Sequence, residues 1–206
     1  MFPPIERYLS SLSDFSAIPA ERKAALKPLA DYLREKQSAN MPVKLTFICT
    51  HNSRRSHLGQ VWAQIAALHY GVAPVECFSG GTETTACNPR TVAALERAGM
   101  EVQTITESDN PIYLFRYADG VNPLVAFSKI YHQAPNPGKG FAAIMTCSQA
   151  EENCPLVLGA EKRFPIMYED PKASDGAPDE TEVYDARCRQ IAAEMLYVFY
   201  LVKHPV

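Results

Sequence analysis

Cys49 and Arg55 stand six positions apart, in a polar stretch that follows an apolar, β-branched run. The run 43–49 is typical of a buried strand, and the apolar spacing from Ser56 to a stop at Gly71 predicts a helix. A loop that joins a strand to a helix N-terminus turns N–H groups inward and carries partial positive charge. That field stabilises a Cys49 thiolate, and Arg55 offers a planar fork for two oxygens of an anion. We therefore expect a nucleophilic cysteine and a site for a tetrahedral oxyanion in one loop.

The residues between and just after this pair complete the predicted site. Ser56 can hydrogen-bond the thiolate when it leaves, and Asn52 can fix the loop by bonding backbone groups. A cysteine six positions before an arginine also arises by chance, as a core cysteine and a surface arginine, but the flanking strand and helix favour a site. The predicted oxyanion loop consists of Thr50, His51, Asn52, Ser53, Arg54, Arg55 and Ser56.

Strand-like and helix-like segments alternate along the rest of the chain. This alternation, with apolar strands, predicts an α/β fold with a doubly wound, mostly parallel sheet flanked by helices, whose ligands bind at the carboxyl ends of the strands. The helix after Asn88 has this residue as its N-cap, Pro89 at its first position and Gly99 at its end. The other predicted elements are strands at 74–81, 101–105, 141–147 and 163–168, and a terminal helix from 178 to about 203.

Two regions fall outside this pattern. Residues 1–40 are rich in helix formers, so we predict a short helical N-terminal extension, followed by the main domain over 41–206. Residues 107–140 hold prolines and glycines with scattered aromatics, and they predict no regular order.

Composition excludes some classes of function. The net charge of -3 and pI near 6.0 provide no long-range field for nucleic acid or an anionic membrane. We expect no membrane helix, because no apolar stretch approaches the ~20 residues that a span needs. We expect no signal peptide, because the N-terminus lacks the basic start and apolar centre of one. Six cysteines are too sparse for a disulfide scaffold, which favours a reducing, cytoplasmic setting. The histidines lack metal-ligand spacing, so we expect no metal and no bound cofactor.

The loop resembles the signature of the low-molecular-weight protein tyrosine phosphatases and of the thioredoxin-coupled arsenate reductases that share their fold. The family pattern is Cys, two residues, Asn, Ser, any residue, Arg, Ser, which the chain matches at positions 49, 52, 53, 55 and 56. The chain departs from it at His51, where a glycine is usual, and at Arg54, where a cysteine is common. The resemblance covers roughly residues 43–203 and implies a low-molecular-weight phosphatase-like domain.

Asp170 and Pro171 resemble the mobile Asp-Pro loop that precedes the terminal helix in this family. The resemblance implies that Asp170 is the general acid. An aspartic acid over the loop can protonate the departing oxygen, which is a poor leaving group as a bare anion. The alternative is an ordinary Asp-Pro turn before a helix.

The segment from Cys147 to Cys154 resembles the redox segment of the arsenate reductases, in which two cysteines bracket a short mobile helix. The resemblance implies a relay: Cys49 forms an adduct with arsenate, Cys147 attacks Cys49, and Cys154 moves the disulfide to the surface. External thioredoxin then reduces it by thiol exchange. The alternative is plain packing, since cysteine is among the most buried residue types.

Three functions remain in order of preference. The first is arsenate reduction. The second is phosphatase activity on phosphotyrosine or a small phosphoester, disfavoured because Lys172, Ala173 and Ser174 follow Asp-Pro where the phosphatases usually carry aromatics; Tyr168 is the remaining aromatic candidate. The third is a non-catalytic oxyanion or redox sensor, which Cys49, Arg55 and Asp170 make less attractive.

Overall fold

The computed structural model describes residues 1–153 and 156–205, so Cys154, Pro155 and Val206 lie outside the described residues. Short 3₁₀ turns cover Phe15–Ala17 and Pro171–Ser174. The helices are α1 (Pro3–Ser10), α2 (Ala20–Ser38), α3 (Arg55–His69), α4 (Pro89–Arg97), α5 (Ser148–Asn153) and α6 (Glu180–Lys203). The strands are β1 (Val43–Cys49), β2 (Val75–Gly81), β3 (Glu101–Thr104), β4 (Tyr113–Arg116), β5 (Leu124–Ala126), β6 (Phe141–Met145) and β7 (Ala160–Pro165).

A parallel sheet with the strand order β2-β1-β6-β7 forms the centre of the molecule. β1 lies inside the sheet, and its side chains are almost all buried, as its apolar, β-branched sequence requires. In register, Cys49 lies opposite Gly81 of β2, and Ile48 lies opposite Met145 of β6. The carboxyl ends of these three strands therefore meet at one edge. The predicted α/β fold with a mostly parallel sheet flanked by helices is confirmed.

The helices follow the sequence signals that predicted them. The side chain of Asn88 accepts the N–H of Arg90 at 2.9 Å and caps α4, which has Pro89 at its first position. The terminal helix begins at Glu180, two residues later than predicted, and α6 packs against α2, α3 and α4. In the described part of the chain, no helix is long and apolar enough to cross a membrane.

A second, antiparallel sheet has the strand order β3-β4-β5. β3 confirms the strand predicted at 101–105, whereas β4 and β5 lie in the region 107–140, which showed no regular order in the sequence. These two strands are only four and three residues long and are separated by Gly120 and Pro123, so they show no readable alternation of polar and apolar residues. After β5 the chain returns to β2, where Gly81 N–H donates to Lys129 O at 2.8 Å and Tyr131 N–H donates to Gly81 O at 2.9 Å. The segment after β5 therefore packs against the edge of the parallel sheet where the carboxyl ends of β1, β2 and β6 meet.

Two predicted strands differ from the structure: β6 ends at Met145 rather than at 147, and β7 is shifted towards the N-terminus. β7 covers Ala160–Pro165 rather than 163–168. It is an edge strand with several exposed polar side chains, so its first half carries little of the apolar signal that marks a buried strand.

The helices of residues 1–40 contribute to the central core. Ile5 of α1 and Leu26, Leu29 and Leu33 of α2 have no exposed surface and belong to the same apolar cluster as Trp62. Burial of such side chains stabilises the fold by about 1.5–3 kcal/mol each. The predicted helical extension is present, and its inner faces are part of the main core.

Candidate active site

The strand–loop–helix unit brings the two ends of the predicted site together. Cys49 is the last residue of β1 and is 4% exposed, while Arg55 is the first residue of α3. The Cys49 sulfur lies 3.1 Å from the Ser56 hydroxyl, which is buried in the first turn of α3. A hydroxyl in that position can donate to a thiolate and stabilise it both before attack and after its release.

The carbonyl groups of the loop all face outward, towards the elements that surround it. Each accepts a hydrogen bond: Cys49 O from Thr82 N at 3.2 Å, Thr50 O from Glu83 N at 2.8 Å, His51 O from Ser128 Oγ at 2.8 Å, Asn52 O from the His57 ring at 2.8 Å, and Ser53 O from Asn88 N at 2.9 Å.

This arrangement fixes the direction of the N–H groups. The C=O and N–H of one planar trans peptide unit point in opposite directions, so outward carbonyls from Cys49 to Ser53 turn the N–H groups of Thr50 to Arg54 inward. Within the described ranges, the N–H groups of His51 to Arg54 have no hydrogen-bond partner. The first N–H groups of α3 also lack partners inside their helix. The loop can therefore present a row of free donors to an anion beside the Cys49 sulfur.

Asn52 holds the loop in this shape. Its φ of 46° is in the left-handed region, which asparagine tolerates better than most residues. Its side-chain nitrogen donates to Ser56 Oγ at 2.9 Å, and its side-chain oxygen accepts from Lys129 N at 3.0 Å. Asn52 thus connects Lys129, in the segment after β5, to Ser56, whose hydroxyl contacts Cys49.

His57 supports the same loop from behind, a role that the sequence analysis did not predict. It is fully buried, and burial lowers its pKa to about 3, so the ring is neutral near pH 7. Since the Asn52 carbonyl can only accept, Nε2 carries the proton, and Nδ1 is left to accept from Ser79 Oγ at 3.1 Å. The position directly after Ser56 was the only available sequence signal.

The Asp170 carboxylate lies against Arg55. One terminal nitrogen of Arg55 donates to Asp170 Oδ2 at 2.6 Å, and the other donates to the carbonyl of Tyr168 at 2.9 Å. The Nε of Arg55 is buried and has no hydrogen-bond partner among the described residues, so its N–H is free to donate to an oxyanion. The other oxygen of Asp170 accepts from Lys172 N at 3.1 Å, so the same aspartate also caps the turn that begins at Pro171.

Arg54 and His51, the two residues that depart from the family pattern, have side chains at the edge of the candidate site. Arg54 donates to the Tyr184 hydroxyl at 2.7 Å and to the Asp175 carboxylate at 3.0 Å, which ties the loop to α6 and to the segment after the Asp-Pro turn. The His51 side chain is about half exposed, and its ring lies 3.5 Å from the Glu83 carboxylate. Neither side chain occupies the position of the Cys49 nucleophile.

Cys147 lies beside the loop at the same edge of the sheet. It follows Thr146, whose N–H donates to Ile48 O at 2.8 Å and so continues the pairing of β6 with β1. The Cys147 sulfur is 3.5 Å from the Thr50 hydroxyl and accepts the N–H of Ala150 at 3.4 Å. Cys147 and Cys49 belong to one buried cluster, whereas the predicted third thiol, Cys154, lies outside the described residues.

The other described cysteines lie outside this cluster. Cys77, Cys87 and Cys188 are buried, and burial raises the pKa of each thiol, to about 12 for Cys87 and Cys188. They remain protonated near neutral pH, which suits core packing and not nucleophilic chemistry.

Tyr168 cannot serve as a wall for an aromatic substrate, and this part of the sequence analysis was wrong. The residue is 5% exposed, and the guanidinium of Arg22 covers its ring at 4.7 Å from the centroid. Lys172 and Ala173, which follow the Asp-Pro pair, are exposed and not aromatic. Tyr168 was misjudged because the sequence did not show that a residue from the N-terminal extension would cover it.

The parallel sheet flanked by helices is the fold of the low-molecular-weight phosphatases, as its likeness to solved structures of that class shows. The family model for low molecular weight phosphotyrosine protein phosphatase matches residues 44–119, and the predicted resemblance to this superfamily is confirmed.

The relatives belong to both predicted kinds of enzyme. An arsenate reductase from Bacillus licheniformis is 27% identical over 153 residues, which cover 74% of this chain and 91% of that protein. An arsenate reductase from Staphylococcus aureus is 29% identical over 129 residues, 61% of this chain and 76% of that protein. A low molecular weight protein tyrosine phosphatase from T. tengcongensis superposes with a TM-score of 0.54 at 15% identity, covering 77% of this chain and 98% of that structure.

Proposed function

We propose that this protein is a cytoplasmic arsenate reductase that uses thioredoxin as its external reductant. The observation that carries the proposal is the position of Cys147, with its sulfur 3.5 Å from the Thr50 side chain of the oxyanion loop and in one buried cluster with Cys49. Hydrolysis of a phosphoester needs no second thiol. Reduction of As(V) to As(III) needs two electrons, which two thiols supply when they become a disulfide.

The first step uses the loop and its two charged neighbours. The Cys49 thiolate attacks arsenic, a sulfur–arsenic bond forms, and one arsenate oxygen leaves as water after Asp170 donates a proton. Arg55 and the inward N–H groups of the loop hold the remaining oxygens and the charge that moves onto them. Asp170 is well placed for this role because its carboxyl lies 2.6 Å from the guanidinium that would hold the same anion.

The second step transfers the electrons. The Cys147 thiolate attacks the Cys49 sulfur, a Cys49–Cys147 disulfide forms, and the electron pair of the sulfur–arsenic bond leaves with arsenic as arsenite. Cys154 then attacks the Cys147 sulfur, which returns the Cys49 thiolate and leaves a Cys147–Cys154 disulfide. The dithiol of thioredoxin reduces that disulfide by exchange. One arsenate thus consumes one external dithiol.

The surroundings of the loop favour a small substrate. The residue that could have stacked on a phosphotyrosine ring, Tyr168, is covered by Arg22. Near the loop, the exposed groups are polar: the Thr50 hydroxyl lies 3.4 Å from Gln149 Oε1, and His51 faces Glu83. A bare tetrahedral oxyanion needs only the donors of the loop and Arg55.

Phosphatase activity is the second candidate, supported by the Arg55–Asp170 pair and by the family match. That reaction uses Cys49, Arg55 and Asp170 in the same roles and returns Cys49 unchanged. It predicts turnover of a small phosphoester without any requirement for Cys147.

One set of variants separates these candidates. We expect arsenate-dependent NADPH consumption with thioredoxin and thioredoxin reductase, lost in Cys49→Ser and in Cys147→Ser. Cys154→Ser should release one arsenite per protein and stall as a Cys49–Cys147 disulfide, which mass spectrometry after non-reducing digestion identifies.

Hydrolysis of p-nitrophenyl phosphate is measured in parallel, and Cys77→Ala, which removes a buried thiol of β2, is the control. If Cys147→Ser reduces arsenate normally, the proposed relay is wrong. If the parent does not reduce arsenate but hydrolyses the ester with or without Cys147, the phosphatase is the better assignment.

A further inference from the structure

Arg22 in the first turns of α2 reaches a buried carboxylate on the terminal helix. Its Nε and Nη2 donate to the two oxygens of Glu194 at 2.9 and 2.7 Å, a bidentate pair. Glu194 is 3% exposed, and Gln190 of the same helix donates to it at 3.0 Å. The Glu194 charge is therefore buried and satisfied through a residue of the N-terminal extension.

The same guanidinium contacts the segment that leads to the active site. It lies over the Tyr168 ring, 4.7 Å from the centroid, and Tyr168 is buried. Burial and the nearby charge of Glu194 keep the pKa of the Tyr168 hydroxyl well above its usual range, so the ring remains neutral. The Tyr168 carbonyl accepts from Arg55 at 2.9 Å, and Asp170, two residues later, accepts from the other arm of Arg55.

We propose that Arg22 and Glu194 are positioning residues of the active site, which fix the Tyr168–Asp170 segment from behind and so hold the Asp170 carboxyl over the oxyanion. The proposal rests on the function proposed above for Arg55 and Asp170. It gives the N-terminal extension a part in the reaction, because Arg22 belongs to α2 while every other group of the site lies after β1 begins.

Asp170 needs such support because it lies in a connection between β7 and α6. A misplacement of about 1 Å in a reacting group can cost roughly 10²-fold in rate. Removal of Arg22 alone leaves Glu194 as an unpaired buried charge beside Tyr168, and water or a proton must then satisfy it. Arg55 is anchored at the start of α3, so the loss should displace Asp170 more than the anion-binding groups.

The decisive test is a double-mutant cycle between Arg22→Met and Asp170→Asn. We expect Arg22→Met to lower kcat by about 10- to 100-fold while the dissociation constant for inorganic phosphate changes less than about threefold. In the Asp170→Asn background, Arg22→Met should lower kcat by less than about twofold, because the group that it positions is already absent. Arg22→Lys, which keeps the charge without the fork, should restore part of the rate.

Arg97→Met is the matched control. Arg97 also makes a bidentate pair with a carboxylate of α6, Asp185, but it makes no contact with Tyr168. Arg22→Met should raise hydrogen–deuterium exchange in the Tyr168–Asp170 segment, whereas Arg97→Met should leave both exchange and kcat near the parent values.

The outcomes separate this proposal from the proposed function. Turnover is measured with arsenate and with p-nitrophenyl phosphate. If the protein does not reduce arsenate, the double-mutant cycle can still be measured through ester hydrolysis. Exchange and phosphate binding are measured on the folded protein without any turnover. Effects of Arg22→Met and Asp170→Asn that multiply, or exchange in the Tyr168–Asp170 segment that stays at the parent level, would overturn the positioning role.

Discussion

Most residues of the oxyanion loop are held by partners that are distant in the sequence. The sequence predicted that Asn52 would fix the loop through backbone groups, and its side chain does accept from the backbone of Lys129 at 3.0 Å. Ser79, which donates to His57, and Lys129 lie on other elements, 22 and 77 positions from their partners. Local spacing reveals Cys49 and Arg55 because they share one loop, but it carries no information about which distant residues enclose that loop.

Replacing Asp170 with asparagine tests the general acid. Asparagine keeps the side-chain oxygen that caps the turn at Lys172 but cannot supply an acidic proton, so turnover should fall by about 10²–10⁴ with phosphate binding largely kept. Poorly activated leaving groups should lose most, since they depend most on that proton. The measurement is kcat for a series of phosphoesters and for arsenate.

Asp175→Asn is the matched control for that experiment. Asp175 lies in the same segment and accepts from Arg54 and Tyr184, but not from Arg55. A small effect at both positions would show that the Asp-Pro pair is only a turn. A large effect at both would point to loss of the segment's structure and not to loss of a proton donor.

At the scale of elements, the strand–loop–helix unit and the neighbouring helix were readable because apolar periodicity and caps are local signals. β3 was predicted, but its partners β4 and β5 were not, because these short strands gain stability from pairing and not from a long apolar pattern. The end of β2 also has a role that the sequence did not show. The sequence predicted Gly81 only as the last residue of a strand, but Gly81 also packs against the oxyanion loop.

Gly81→Ala tests this contact between elements. A Cβ at Gly81 would lie 2.6 Å from Thr50 O and 2.8 Å from Asn52 N, both backbone atoms of the loop, so the loop must shift. We expect a loss of about 1–3 kcal/mol in the free energy of unfolding, typical of overpacking, and weaker phosphate binding. Chemical denaturation and phosphate titration measure the two effects.

Gly138→Ala is the control, because a Cβ at Gly138 meets nothing within 4 Å. It should change the free energy of unfolding by less than about 0.5 kcal/mol, as is usual for a surface substitution. Phosphate binding that survives Gly81→Ala unchanged would mean that the loop tolerates the displacement, and the close packing of β2 would then not define the site.

At the scale of the whole molecule, the candidate active site lies between parts that the sequence suggested were separate. The N-terminal helices, the central sheet and α6 share one apolar core, and the Arg22–Glu194 pair crosses between the first and last of these. The sequence predicted a helical extension, but it could not show that the extension would join this core. Buried polar groups, His57 among them, make the stability of this core depend on the protonation state of the protein.

The final prediction concerns that dependence on pH. Burial lowers the pKa of His57 to about 3 in the folded protein, whereas an unfolded histidine titrates near 6.5. Above pH 6.5 both states are neutral; below it the unfolded state binds a proton that the folded state does not, so stability falls as pH falls. The loss of stability from His57 should reach about 2 kcal/mol between pH 7 and pH 5, a window above the range where carboxylates titrate.

The test compares the parent with His57→Gln. His69, whose pKa burial also lowers, contributes in the same direction and is present in both of these proteins. Urea unfolding of the parent and of His57→Gln at these two pH values isolates the difference. His57→Gln should be less stable at pH 7 but should lose less on acidification, and equal losses would show that His57 is not held neutral by burial.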